Sequence, residues 1–264
     1  MPNWVRNKVK FNNRGKEILD KVIVVNGDKE ELTTEDVLFD FNKILEMPKT
    51  LNLVSGSEIA PAIQYALKKM SKEDVASITE KLHNTPVSFY GNYYNKIFQK
   101  VYTSKELDKI GEDFKKNLTE SNSKLYNFYD YQELGIGNLE DLGNICINNI
   151  MQYGADTWYD WCIENWGTKW NACNTYVVSD NEVEFDTAWS CPVNIFIVLS
   201  KQFSDVEIEV EYADEDIGYN CGRFVFSNGS IEECIDMDNN TDFALDIWGY
   251  TEEMKEEYYE EMED

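Results

Sequence analysis

The chain is 264 residues long and carries 50 Asp and Glu against 24 Lys and Arg, a formal net charge of −26 at pH 7. Charge of that sign repels nucleic acid and anionic membrane, whose binding uses Lys and Arg to displace counterions, and it draws partners with basic surfaces. Hydrophobic residues at 42% and aromatic residues at 14% exclude a disordered acidic chain, which lacks the apolar surface to offset chain entropy.

The acidity is regional. From Lys201 to Asp264 there are 21 carboxylates against Lys201, Arg223 and Lys255, a local charge of −18 that leaves −8 for the other 200 residues. The length admits one domain with a large insertion, or two domains. The six cysteines form no CxxC pair, and a single histidine, His83, leaves no Cys/His zinc spacing to assemble. The start, MPNWVRNKVKF, has no apolar signal core, and the longest apolar stretch, Ile195 to Leu199, is too short to span a bilayer, so the expected location is the cytoplasm of the host cell, with reduced thiols.

In chain order, Val5, Val9 and Phe11 alternate with Arg6, Lys8 and Lys10 as a first strand, with Asn7 interrupting its apolar side. A helix is expected next: Ile18, Leu19, Val22 and Ile23 have helical spacing, while the β-branched run Val22 to Val25 before Asn26-Gly27 also reads as a strand ending in a turn. Val37, Phe39 and Phe41 then alternate, and Pro48 marks a stop. From Ser57 to about Gln152 the period is helical, with Ile59, Ile63, Ala66, Leu67 and Met70 on one face. Val75, Ile78 and Leu82 follow Ser71, a capped start with Asp74 three residues on, and Ile97, Val101, Leu107, Ile110, Phe114 and Leu118 continue the theme.

After an aromatic stretch from Trp158, TYVV and EVEFDTAW flank Ser179-Asp180-Asn181 as a hairpin. Pro192 can open a helix with Ile195, Leu199 and Phe203 on its apolar face. The clearest strand places Val206, Ile208, Val210 and Tyr212 on one side and Glu207, Glu209 and Glu211 on the other. RFVF, Asn228-Gly229 and SIEECI form a further hairpin, on the dipeptide that type I′ turns favour. Strand and helix, then, past an insertion, hairpin, helix and strand, is the order of a split βαβ: an α+β, ferredoxin-like antiparallel sheet with helices on one face and a largely helical insertion. The expected division is 1–56 for the N-terminal strand and helix, 57–152 for the helical insertion or subdomain, 153–249 for the ferredoxin-like C-terminal part and 250–264 for an acidic tail.

MPNWVRNKVKF, FDFNKILEMP at Phe39 to Pro48, DWCIENWGTKWNA at Asp160 to Ala172, and FDTAWSCP at Phe185 to Pro192 followed by VEIEVEYADED resemble the YubB-type family of phage, prophage and plasmid proteins. The motifs keep their order at both ends of the chain. The resemblance implies a mobile-element origin and a ferredoxin-like C-terminal domain; it supplies no activity and no catalytic residue, since fold alone licenses none.

Four tryptophans, Trp158, Trp161, Trp166 and Trp170, are the wall a ligand ring would stack on, although core packing explains them better because only Lys169 stands near to meet a phosphate. Asp236, Asp238, Asn240 and Asp242 match the first four ligand positions of an EF-hand loop, but Thr241 replaces the turn glycine and Ile247 the bidentate Glu. No metal and no cofactor is expected. His83 has no nucleophile motif beside it, and GIGNLEDLG at Gly135 to Gly143 is not a phosphate loop, so the residues favour a non-enzymatic role. On a helix, Glu252, Glu253, Glu256, Glu257, Glu260 and Glu261 form an anionic stripe beside Met254, Tyr258 and Met262.

The expected partner surface is therefore acidic: Glu207, Glu209, Glu211, Asp214, Glu215 and Asp216 with the six tail glutamates. Its partner would be a basic host protein that itself binds nucleic acid. That makes the chain a mobile-element accessory protein, with a counter-defence inhibitor of the anti-CRISPR or anti-restriction type, acting as a nucleic-acid mimic, as the narrowest form of the reading. The alternative is a small-ligand or nucleotide-binding module, hydrolytic in its strongest version, walled by the tryptophans.

Overall fold

The computed structural model describes residues 3–26, 36–87, 89–119 and 131–263. Met1 and Pro2 of the first motif, Gly27 of the Asn26-Gly27 turn, residues 120–130 of the expected helical stretch and Asp264 of the tail lie outside the described residues. The chain divides into two units, Met1–Glu46 with Cys162–Asp264, and Met47–Trp161.

The first unit opens with β1 (Trp4–Phe11), α1 (Gly15–Val22), β2 (Ile23–Val25) and β3 (Val37–Phe39). The second holds α2 (Ile59–Leu67), α3 (Lys72–Asn84), the short pair β4 (Pro86–Val87) and β5 (Gly91–Asn92), α4 (Tyr93–Phe98), α5 (Ser104–Thr119) and α6 (Leu139–Tyr153). The first unit resumes at Cys162, within α7 (Trp158–Trp166), and continues with β6 (Cys173–Ser179), β7 (Glu182–Ala188), α8 (Val193–Gln202), β8 (Glu207–Asp214), β9 (Cys221–Ser227), β10 (Ser230–Asp236), α9 (Thr241–Ile247) and α10 (Glu252–Glu263).

Six strands form one sheet in the order β10-β9-β8-β1-β7-β6. β1 lies antiparallel to both β7 and β8, and β6 antiparallel to β7. The four strands β8-β1-β7-β6 thus give the split βαβ arrangement, with β7 between β1 and β6 and β1 between β7 and β8, and the β9–β10 hairpin widens it on the β8 side. Alternation decides which face is covered. Val5, Val9, Phe11, Ile208 and Val210 are fully or almost fully buried, and Phe196 of α8 packs its ring 6.4 Å from Phe185 and 5.5 Å from Phe226 on that face. α1 runs beside α8, with Lys21 Nζ donating to Gln202 Oε1 at 2.6 Å.

Asn7 sits on this apolar face without breaking it, because its amide donates to the Val5 carbonyl at 2.9 Å and to Thr187 Oγ1 at 2.9 Å. The run from Lys16 to Val25 is helix and strand in turn: α1 ends at Val22, and the β-branched Ile23 to Val25 pairs with β3. In the β9–β10 turn, Asn228 and Gly229 have φ of 49° and 81°, both in the left-handed region a type I′ turn requires.

In the second unit, Ser71 caps α3 by accepting from the Asp74 N–H at 3.1 Å, as its spacing predicts. Val101 departs from expectation: it is exposed in a break between α4 and α5 rather than on a helical face. Gln64 of α2 satisfies that break, donating to the Ile97 and Lys100 carbonyls and accepting from the Tyr102 N–H. α2 and α6 make the closest approach. A Cβ on Gly143 would stand 2.1 Å from the Ala62 carbonyl oxygen, so only glycine fits there. Gly143→Ala must push the two helices apart, and urea unfolding is expected to show a loss of about 3 kcal/mol, the upper end for overpacking because the clash is with backbone.

Candidate functional site

The sheet face opposite α8 is charged. In register with one another, Arg6 meets Asp186, Lys8 meets Glu184 and Lys10 meets Glu182 across β1 and β7, at 3.0, 3.7 and 3.7 Å. On its other side β1 places Lys8 opposite Glu211 and Lys10 opposite Glu209. Arg223 of β9 then bridges Glu209 and Glu233. Glu209 is thus tied into an internal lattice of opposite charges and Glu211 stands opposite Lys8 within it, while Glu207 at the strand end is exposed. α9 covers one end of this face, where Lys8 Nζ donates to the Asp246 carbonyl at 3.1 Å and the Arg6 guanidinium lies 4.4 Å from the Trp248 ring.

Asp214, grouped above with the acidic surface, is instead 5% exposed. It is held as an acceptor by Asn3 Nδ2, the Asp216 N–H and Asn220 Nδ2 at 3.2, 2.9 and 3.1 Å. Glu215 and Asp216 are exposed. The EF-hand-like run is consumed by its own loop: Asp236 accepts from the Asp238 N–H, Asp238 from the Cys221 N–H, Asn240 caps α9 at the Phe243 N–H, and Asp242 accepts from the Tyr259 hydroxyl.

The tail forms α10. Tyr258 packs edge-on against Tyr250, the Tyr259 hydroxyl reaches Asp242 at 2.8 Å, and Lys255 Nζ lies 2.7 Å from Asp246 and 3.1 Å from Glu252. Hydrogen bonds to Asp246 and Glu252 hold Lys255 above the ordinary lysine value. All six glutamates of the stripe are exposed, and Met254 and Met262 are 43% and 70% exposed. Among the described residues, Glu253, Glu256, Glu257, Glu260 and Glu261 have no cationic partner.

Residues 165–261 match the family model described as a ferredoxin-like domain in Api92-like protein. The matched span is less than half of the chain and covers β6 to α10. The crystal structure of a protein api92 from Yersinia pseudotuberculosis is similar at 12% identity over 89% of this chain and 97% of that one, with a TM-score of 0.36. No curated protein matches the chain. The matched span holds β6 to β10 of the sheet and α8 and α9, while β1 and α1 lie outside it; its description carries no activity.

The four tryptophans divide between the units. Trp158 is half-buried against Tyr159 and Trp161 is buried in the second; in the first, Trp166 is buried, donates to the Leu45 carbonyl at 2.9 Å and packs on Phe41. Trp170 is joined by two tryptophans the sequence did not single out: Trp4 stands 6.0 Å away, and Lys169 Nζ lies 4.4 Å from the Trp170 ring and 4.7 Å from that of Trp189. His83, exposed near the end of α3, stacks on Tyr94 at 3.9 Å. No disulfide joins the six cysteines, and burial pushes up the thiols of Cys146, Cys162 (to about 12), Cys173 (to about 11) and Cys191, the opposite of what a thiolate nucleophile needs.

Sequence spacing gave no hint of a charged cluster in the second unit. Lys96 Nζ lies 2.8 Å from Asp156 Oδ2 and 2.6 Å from Asp160 Oδ2, and the Tyr93 hydroxyl donates to Asp160 at 2.7 Å. Burial pulls Lys96 down, but the two carboxylates outweigh it and hold the ammonium above the ordinary value. Burial pushes Asp156 up, with Lys96 opposing. A carboxyl raised on folding contributes stability at low pH that is lost as pH rises through its folded value. Lys96→Met removes the opposing cation, so the variant is expected to lose about 3 kcal/mol near neutral pH and much less at acidic pH, where the raised Asp156 carboxyl takes up its proton; urea midpoints across that range measure the difference.

Proposed function

We propose that this chain is a non-enzymatic binding protein of mobile-element origin whose exposed carboxylates engage a basic, nucleic-acid-binding host protein, in the manner of a nucleic-acid mimic. The supporting observation is α10. It offers six exposed glutamates against one lysine over ten residues, Glu252 to Glu261. At 1.5 Å per residue that is about one net charge per 3 Å, close to the roughly 3.4 Å per charge of one nucleic-acid strand. The carboxylates of the sheet do not present themselves in this way, because β1 and Arg223 neutralise them in place. Resemblance to phage, prophage and plasmid proteins supports the mobile-element part of the reading, and the counter-defence role follows from what such a mimic would block. No helix among the described residues is long and apolar enough to cross a membrane.

Full-length protein immobilised against host lysate is expected to retain a nucleic-acid-binding protein that moderate salt or added duplex DNA releases, and that a truncation ending at Tyr250 fails to hold. Salt sensitivity follows because DNA and the mimic use the same cations. Retention that is indifferent to salt and to DNA overturns the mimic reading.

A further inference from the structure

On the face opposite α8, charge alternates strand by strand across the sheet. β7 carries Glu182, Glu184 and Asp186; β1 carries Arg6, Lys8 and Lys10; β8 carries Glu209 and Glu211; β9 carries Arg223, and β10 carries Glu233. The series acid, base, acid, base, acid stops at β10, and among the described residues no strand pairs with the outer side of β10. The strand reads SIEECID, with three acids and no cation, and all its side chains but Ile235 are exposed.

An open edge is a row of backbone donors and acceptors ready for another strand, and charge on it selects which strand can come. A second copy laid antiparallel would set glutamate against glutamate, which is unfavourable. A strand bearing Lys or Arg at alternate positions would instead continue the series. The register shift between Ile231 and Glu233 disturbs the first part of β10, leaving Glu233 to Asp236 as the regular stretch. The opposite edge, β6, exposes Tyr176, Val177 and Val178 without a carboxylate among them, so charge gives a basic segment no reason to choose it.

We propose that the outer edge of β10 takes up an extended basic segment of the partner as a seventh strand, its backbone pairing with β10 and its alternate cations facing Glu233. This rests on the basic partner of the preceding section and adds where, and in what conformation, part of it binds.

The test uses the full chain and two fluorescent ten-residue peptides of equal charge, one alternating Lys and Thr, the other with its five Lys and five Pro in adjacent pairs, so that neither edge keeps a run of N–H donors and it cannot pair as a strand. Cys234 of β10 is the one exposed cysteine among the six and reports on the edge by its alkylation rate. The Lys-Thr peptide is expected to bind more tightly than the proline peptide, to slow alkylation of Cys234 and to protect amides of 230–236 from hydrogen exchange. Glu233→Lys should weaken it roughly fivefold, the equivalent of a ~1 kcal/mol cross-strand charge pair, with Glu233→Gln as the milder substitution should the reversal fail to fold. Equal binding of the two peptides, or protection confined to α10, overturns the proposal. Truncation at Tyr250 separates it from the mimic reading: edge protection that survives without α10 supports the seventh strand even where DNA competition fails, and protection that vanishes with α10 refutes it.

Discussion

Everything in the sheet unit turns on the first strand lying at its centre. β1 pairs with β7 on one side and β8 on the other, and both neighbours present rows of carboxylates on the face opposite α8. Without Arg6, Lys8 and Lys10 between them, two anionic rows would face each other across the sheet. Each cross-strand pair contributes roughly 0.2–1 kcal/mol, less than the ~1.5–3 kcal/mol of each buried apolar side chain such as Val5, Val9 or Phe11. The apolar side therefore holds β1 in place, and the charged side adds to the choice of register: a slip by one residue would bring lysines into the core and leave the carboxylates without partners.

That lattice also determines where the chain's excess charge can act. Carboxylates opposite β1 are already spoken for, and Asp214 is enclosed among its donors. Exposed carboxylates remain on α10, on β10 and at Glu207, Glu215 and Asp216, with Glu233 of β10 shared with Arg223. α10 is attached by Lys255, Tyr258 and Tyr259, while like charges one turn apart along it repel. A helix fastened on one side and self-repelling on the other has every reason to prefer a cationic surface over water.

Much of this was legible locally. Alternation announced β1 and β8, Asn228-Gly229 announced the turn between β9 and β10, and Ser71 announced the start of α3, because in each the signal lies within a few residues. What escaped depended on distant partners. Asn7 looked like a break in an apolar face until Val5 and Thr187 supplied acceptors, and Val101 kept helical spacing although Gln64 diverts the backbone there. Lys96 finds Asp156 and Asp160 about sixty residues on, and no periodicity encodes that meeting. The tryptophans are close in sequence yet serve different units, so a reading by proximity along the chain grouped side chains that folding separates. The acidic stripe of α10 was visible as composition; that Glu209 and Glu211 of β8 stand opposite cations of β1 was not, since those cations lie about 200 residues away in the chain.

The position of β1 has a consequence for synthesis. Arg6 and its partner Asp186 are 180 residues apart, with the helical unit between them. At roughly 5–20 residues per second, the ribosome takes on the order of ten to forty seconds to deliver the strands that flank β1. During that interval a segment with Val5, Val9 and Phe11 on one side and three cations on the other has no sheet to join. A nascent chain of this kind offers chaperones a defined early target, and it makes the delivery of β7 and β8 the step that commits the sheet.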